Sequence, residues 1–246
     1  MFDLTPLQWL LSGIAGFFVG LAKTGISGLG IAVVPLMASV FPSRASTGII
    51  LPMLIMADIM AVLYYRRHAQ WNLLLRIIPF SITGVIMGYF MLGIVNDMQM
   101  RYIIAIVIIV LLIVSALKDF GVIRENAIPT NIIFTATMGI LAGMTTMLAN
   151  AAGPIMVIYL LSMGLMKNEF IGTSSWYFLL INCFKVPFSA SLGLITPTTL
   201  LFNVKLLPFI ILGAVVGILI VKKIPQTAFR ITVQVLAFAA AIKLIF

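Results

Sequence analysis

The chain has 246 residues, 63% of them hydrophobic and 9% charged, with a mean hydropathy of +1.23 and a formal net charge of +9. A soluble domain carries about 25% charged residues, so this composition excludes a soluble protein and defines an integral membrane protein. The basic excess is scattered between apolar runs, as the positive-inside rule requires, and is not a nucleic-acid footprint.

The first residues lack a basic stretch before the apolar run, so a cleaved signal peptide is not expected and the first helix is retained. The first apolar segment, about residues 7–41, is broken in its middle by Lys23, Thr24, Gly25, Ser27, Gly28 and Gly30. Unbroken apolar runs follow near 45–65, 72–94 and 100–118, each close to the ~20 residues a helix needs to cross the hydrocarbon. A polar linker then runs from Lys118 to Pro129.

The second half repeats this plan. A broken segment, about 131–164, is interrupted by Thr145, Thr146, Asn150, Ala151, Ala152, Gly153 and Pro154, and runs near 170–190, 203–221 and 228–246 follow. Small and polar landmarks keep their order. Gly16, Gly20 and Ser27 match Gly139, Gly143 and Asn150 at an offset of 123, and Gly48 and Asp58 match Gly172 and Asn182 at 124. Pro79, Gly84, Gly88 and Arg101 match Pro208, Gly213, Gly217 and Arg230 at 129. We read one transporter domain over 1–246, built from a first repeat (1–120) and a second (130–246). The arms of the broken segments, roughly 14–16 residues or about 21–24 Å, fit re-entrant hairpins or pairs of short tilted helices. Exposed irregular backbone is excluded in lipid, where unpaired backbone groups find no water.

Charge bias sets the orientation. Arg66, Arg67 and Arg76 mark one loop as cytoplasmic, while its counterpart around 191–203 is nearly uncharged. The next loop reverses the bias, with Lys222, Lys223 and Arg230 in the second half. Equivalent loops thus face opposite sides, which predicts inverted-topology repeats, six to ten spans, and both termini outside.

Paired interrupted segments in two halves point to a transporter's substrate site. Helices restarting near Gly28 and Ala151 would present unpaired backbone N–H groups and a favourable dipole to an anion. Glycine and alanine let a ligand approach the backbone closely. Lys23, Thr24, Ser27, Thr146 and Asn150 add side-chain donors. The competing reading, helix packing by small residues, accounts better for Gly16, Gly20, Gly84 and Gly88 than for the polar pairs.

Lys23, Asp58 and Lys185 fall inside apolar runs, where a charge costs roughly 2.5–3.5 kcal/mol and so faces a partner or a wet cavity. Lys185 lies three residues beyond Asn182, on the same helix face. Two readings stay open: a structural Asp58–Lys185 ion pair, or Asp58 exchanging a proton while Lys185 helps to hold an anion. Trp9 and Trp71 are expected at the membrane interface. Trp176 either lines the pore or anchors at the interface. His68 is a loop residue without metal or catalytic partners, and Cys183 allows no intramolecular disulfide. No HExxH, GxSxG, Walker loop or carboxylate cluster occurs, so neither catalytic residues nor a cofactor are expected.

The runs Gly20–Ile31, Thr47–Asp58, Tyr64–His68 and Phe170–Trp176, with Asn182 and Lys185, resemble the sulfite exporter TauE/SafE family, also grouped with toluene sulfonate uptake permeases. The resemblance covers essentially the whole chain. It implies a bacterial inner-membrane, multi-pass secondary transporter of small sulfur-containing anions such as sulfite or organosulfonates, for example sulfoacetate. Export is the expected direction, with protons as an optional coupling ion. The alternatives are a passive anion channel, a non-transporting scaffold or an intramembrane enzyme. On the physical reading, the substrate site comprises Lys23, Thr24, Gly25, Ser27, Gly28, Thr146, Asn150, Ala151, Gly153, Ser174, Trp176, Asn182 and Lys185. The expected partners are the anion and the bilayer.

Overall fold

The computed structural model describes residues 4–25, 30, 33–41, 43–91, 131–225, 227–229, 231–232 and 235. The expected run at 100–118, the linker, nearly all of the run at 228–246, and Ser27 and Gly28 lie outside the described residues.

All the regular structure among them is helical: α1 (Pro6–Thr24), α2 (Val33–Ala38), α3 (Ser43–Tyr65), α4 (Trp71–Met91), α5 (Ile132–Ala149), α6 (Gly153–Ser162), α7 (Lys167–Ser191) and α8 (Pro197–Lys223), with a 3-10 turn at Arg66–His68, 3-10 geometry at Gly30 and further helical residues at 227–229, 231–232 and 235. Local sequence sets the boundaries. Thr5 caps α1 in a capping box with Gln8, ahead of Pro6 at the first helical position. Asn131 Oδ1 accepts the Phe134 N–H at 2.9 Å to start α5. Thr196 and Thr199 form the box that opens α8. Asn150 ends α5 in the left-handed region (φ 52°), and Gly164 and Gly193 (both φ 70°) follow α6 and α7. Lys167 Nζ closes the far end of α8 by donating to the carbonyls of Val221 and Ile224 at 2.8 and 2.7 Å.

The broken segments are less even than the sequence suggests. Instead of two arms of 14–16 residues, each has a long helix (α1, 19 residues; α5, 18) and a short one (α2, 6; α6, 10). The break lies late because its polar residues fall in the last turn of the long helix. A ten-residue helix rises about 15 Å and cannot cross a bilayer alone. Five described helices are long and apolar enough to do so: α1, α3, α4, α5 and α8. The 25-residue α7 has the length but carries Thr173, Ser174, Ser175, Asn182 and Lys185, all buried. It packs against α3 and α4, which keep that polar face from lipid.

The largest interfaces are α4 on α5 and α1 on α8, and they are made by glycines. A Cβ on Gly20 would overlap the Ile210 carbonyl oxygen, and one on Gly143 the Ser81 carbonyl oxygen. One on Gly213 would meet the Phe17 carbonyl, and one on Gly84 the Ile140 carbonyl. These contacts occur in pairs at the offsets of 123 and 129 seen in the sequence. Central helices α3 and α7 run antiparallel. Gly48, early in α3, lies against Leu194 beyond the end of α7, and Gly172, early in α7, lies against Tyr65 at the end of α3. Hydrophobic residues fill the space around these contacts in two clusters, one centred on α1, α3 and α8, the other on α4 to α7.

Backbone-to-backbone packing leaves no room for a side chain at some glycines and ample room at others. Gly20→Ala and Gly143→Ala should each lower stability by about 1–3 kcal/mol, the usual cost of overpacking. Gly16→Ala, whose nearest neighbour would be 3.5 Å away, should be neutral or stabilising by up to about 1 kcal/mol. Thermal unfolding of the three purified variants in detergent checks the ranking.

Candidate functional site

The late breaks leave Lys23 and Thr24 at the end of α1, and Thr146 and Asn150 at the end of α5. Between them stand the middle of α3, with Asp58, and of α7, with Asn182 and Lys185. These side chains form one continuous polar chain through the apolar core. Lys23 Nζ pairs with Asp58 Oδ1 at 2.9 Å and lies 3.7 Å from the centre of the Phe178 ring. Asn182 Nδ2 donates to Asp58 Oδ2 at 2.8 Å. Lys185 Nζ donates to Asn182 Oδ1 at 3.5 Å, to Thr146 Oγ1 at 3.0 Å and to Asn150 Oδ1 at 2.7 Å. Asn150 Nδ2 donates onward to the Thr47 carbonyl at 3.2 Å. Asp58 and Asn182 are fully buried and Lys185 is 2% exposed.

This arrangement corrects the pairing expected from sequence. Asp58 forms its ion pair with Lys23 rather than Lys185, and Asn182 stands between Asp58 and Lys185 as a bridging amide. The physical reason is the meeting of α3 and α7 at Asp58 and Asn182. That contact fills the carboxylate's α7 side with an amide and leaves its other oxygen to the end of α1. Among the described residues, Lys23–Asp58 is the one ion pair.

The remaining expected residues divide into two groups. Thr24 is buried, but it stitches helices together: its Oγ1 donates to the Gly20 carbonyl at 3.0 Å and to the Ala214 carbonyl at 2.8 Å, while the Thr24 carbonyl accepts from the Tyr65 hydroxyl at 3.1 Å. Gly25 is a close-approach position, where a Cβ would lie 2.9 Å from Gly217 Cα. Ala151, Ala152 and Gly153 form the short connection into α6, which starts at Gly153, two residues later than expected, with no side-chain cap on its first N–H groups. Ser174 and Trp176 are not brought to the polar chain. They lie eight and six residues before Asn182, about 12 and 9 Å along α7. Trp176 stacks obliquely on half-exposed Trp71, the first residue of α4, with ring centres 5.1 Å apart. Trp176 is thus partly buried, packed against the core cluster beside the start of α4.

Sequence reasoning missed two participants. Phe178 presents its face to Lys23, a contact with no motif. Tyr65 ties the end of α3 to the end of α1, and its signal was only its place in the Tyr64–His68 run.

A helical, multi-pass membrane protein with a buried polar path between two interrupted helices defines a membrane transporter class. The chain belongs to the sulfite exporter TauE/SafE family, whose model matches residues 12–244. No curated protein and no solved structure matches it. Membership supports transport over enzymatic chemistry.

A buried pair loses most when one partner is left alone. Lys23→Met and Asp58→Asn should each destabilise the protein, by about 3–5 kcal/mol at most, and the double variant should recover most of the loss. Thermal unfolding of the three variants tests this. Additive losses in the double variant would exclude the pair as a coupled unit.

Proposed function

We propose that this protein is a secondary transporter that moves small sulfur-containing anions, sulfite or organosulfonates such as sulfoacetate, through a site at the second break near the bilayer midplane. The observation that carries the reading is Lys185. Its ammonium is buried in the core, surrounded by neutral oxygens, with its carboxylate neighbour already paired to Lys23. An anion arriving there meets a positive charge, the hydroxyl of Thr146, the amide of Asn150, and the uncapped backbone N–H groups at the start of α6. Ser27 and Gly28 belong to the first break in this reading, and Lys23 acts on the anion through Asp58 and Asn182 rather than by contact.

Two inverted repeats are the architecture that best accounts for the paired glycine contacts and for the antiparallel run of α3 against α7. Helices related by an axis along the membrane normal would run parallel. The orientation with both termini outside, in a bacterial inner membrane, draws support from charge. Lys222 Nζ lies 5.4 Å from the Tyr64 ring centre, and Lys167 reaches the end of α8. Arg66, Arg67, Lys167, Lys222 and Lys223 thereby gather at one end of the bundle, the cytoplasmic end under the positive-inside rule. Export of the anion follows the inside-negative potential, and Asp58 is the residue available to a coupled proton.

Lys185→Met should reduce anion flux into liposomes at least tenfold while leaving a folded protein, and Gly153→Leu should do the same by blocking approach to the start of α6. Counterflow of radiolabelled sulfite in reconstituted vesicles measures it; flux unchanged in folded Lys185→Met protein removes the site.

The topology has a separate test in a Cys183→Ser background. Single cysteines near His68 and Lys222 should react only from the cytoplasmic side, and one near Thr198 only from outside. Labelling of the His68 and Thr198 positions from the same side overturns the inverted arrangement.

A further inference from the structure

The polar chain sets a charge as well as a place. Both amide orientations follow from their partners. Asn182 turns its Nδ2 to the Asp58 carboxylate, and Asn150 turns its Nδ2 to the Thr47 carbonyl, so each leaves an oxygen for Lys185. Lys185 Nζ therefore faces three acceptors, Thr146 Oγ1, Asn150 Oδ1 and Asn182 Oδ1, which matches the three donors of an ammonium group. Lys23 and Asp58 cancel each other across 2.9 Å. The end of α5 and the start of α6 meet at the same break, so their opposite partial charges offset. With all three ionised, Lys23, Asp58 and Lys185 together carry one net positive charge.

We infer that this site selects singly charged anions over doubly charged ones, so that among the anions proposed above it takes hydrogensulfite or a monosulfonate and disfavours sulfite dianion and sulfoacetate, whose sulfonate and carboxylate are both ionised near neutral pH. The inference rests on the midplane site proposed above. A monoanion leaves the buried cluster neutral, whereas a dianion leaves a net negative charge in a medium that solvates charge poorly. The Lys23–Asp58 pair, which the anion does not touch, then works as a charge-setting device.

Methanesulfonate and sulfate separate charge from shape, since both are small tetrahedral oxyanions. Binding of each to the purified full chain is measured by calorimetry at one pH. Methanesulfonate should bind at least tenfold tighter than sulfate. Asp58→Asn raises the cluster to two positive charges and should remove or reverse that preference. Lys23→Met lowers it to zero and should weaken both anions at least tenfold. The double variant Lys23→Met with Asp58→Asn restores a single positive charge and should restore the preference for methanesulfonate, so the test survives if either single variant fails to fold. Equal binding of the two anions by the wild type, or a folded double variant that lacks the preference, overturns the inference alone. Binding of neither anion by the wild type overturns the site reading and the inference with it.

Discussion

An ammonium group buried in an apolar protein core has no water to turn to, and the middle of this molecule is arranged around that fact. Lys185 is held by Thr146, Asn150 and Asn182. Asn150 and Asn182 are each constrained by a second bond, to the Thr47 carbonyl and to Asp58. Asn182 can offer an oxygen to Lys185 because its nitrogen is committed to Asp58, whose other carboxylate oxygen is paired with Lys23. A charge at the bilayer centre costs roughly 2.5–3.5 kcal/mol, and a half-satisfied polar group adds to that cost. The network therefore stands as a unit, and disturbing one link is felt at the next.

Such a network closes only if four helices approach to within side-chain reach. Glycines make that possible. At Gly20, Gly143, Gly84 and Gly213 one backbone lies directly on another, so α1 seats on α8 and α5 on α4 with no intervening side chain. The end of α1 is then fixed by Thr24, which bonds to Ala214 of α8, and by Tyr65 of α3. Lys23 is delivered to Asp58 by this seating.

Long apolar helices, their caps and the places where they break are local properties, and they are legible in the chain: Thr5 with Gln8, Asn131, Thr196 and Asn150 mark boundaries that the structure uses. The buried polar residues were equally legible, since Lys23, Asp58, Asn182 and Lys185 stand out against an apolar background. Their pairing was not. Spacing relates residues on one helix, such as Asn182 and Lys185. It says nothing about how α1 meets α3, and the choice of Lys23 over Lys185 as partner of Asp58 belongs to that contact. Ser174 and Trp176 share α7 with the polar chain, yet helical rise carries them about 12 and 9 Å along it from Asn182. The two arms of each segment differ in length because the first polar residues of the break, Lys23 and Thr24 or Thr146, already belong to the end of the longer helix.

Positions matched by the offsets in the two halves do not carry equivalent chemistry, and that asymmetry decides which charges are paired. At the offsets that relate the glycine contacts, Lys23 corresponds to Thr146, Asp58 to Asn182, and Lys185 to the buried Ala61. Had both halves kept the lysines, four ammonium groups would crowd one core with two carboxylates between them, and like charges at such distances repel strongly in a medium of low polarity. Placing the ion pair on one side and neutral acceptors on the other keeps the same backbone scaffold while leaving one positive charge without a carboxylate of its own. The paired glycine contacts give the two halves matching backbone packing, and it is the unlike side chains at the matched positions that decide which lysine is paired with a carboxylate.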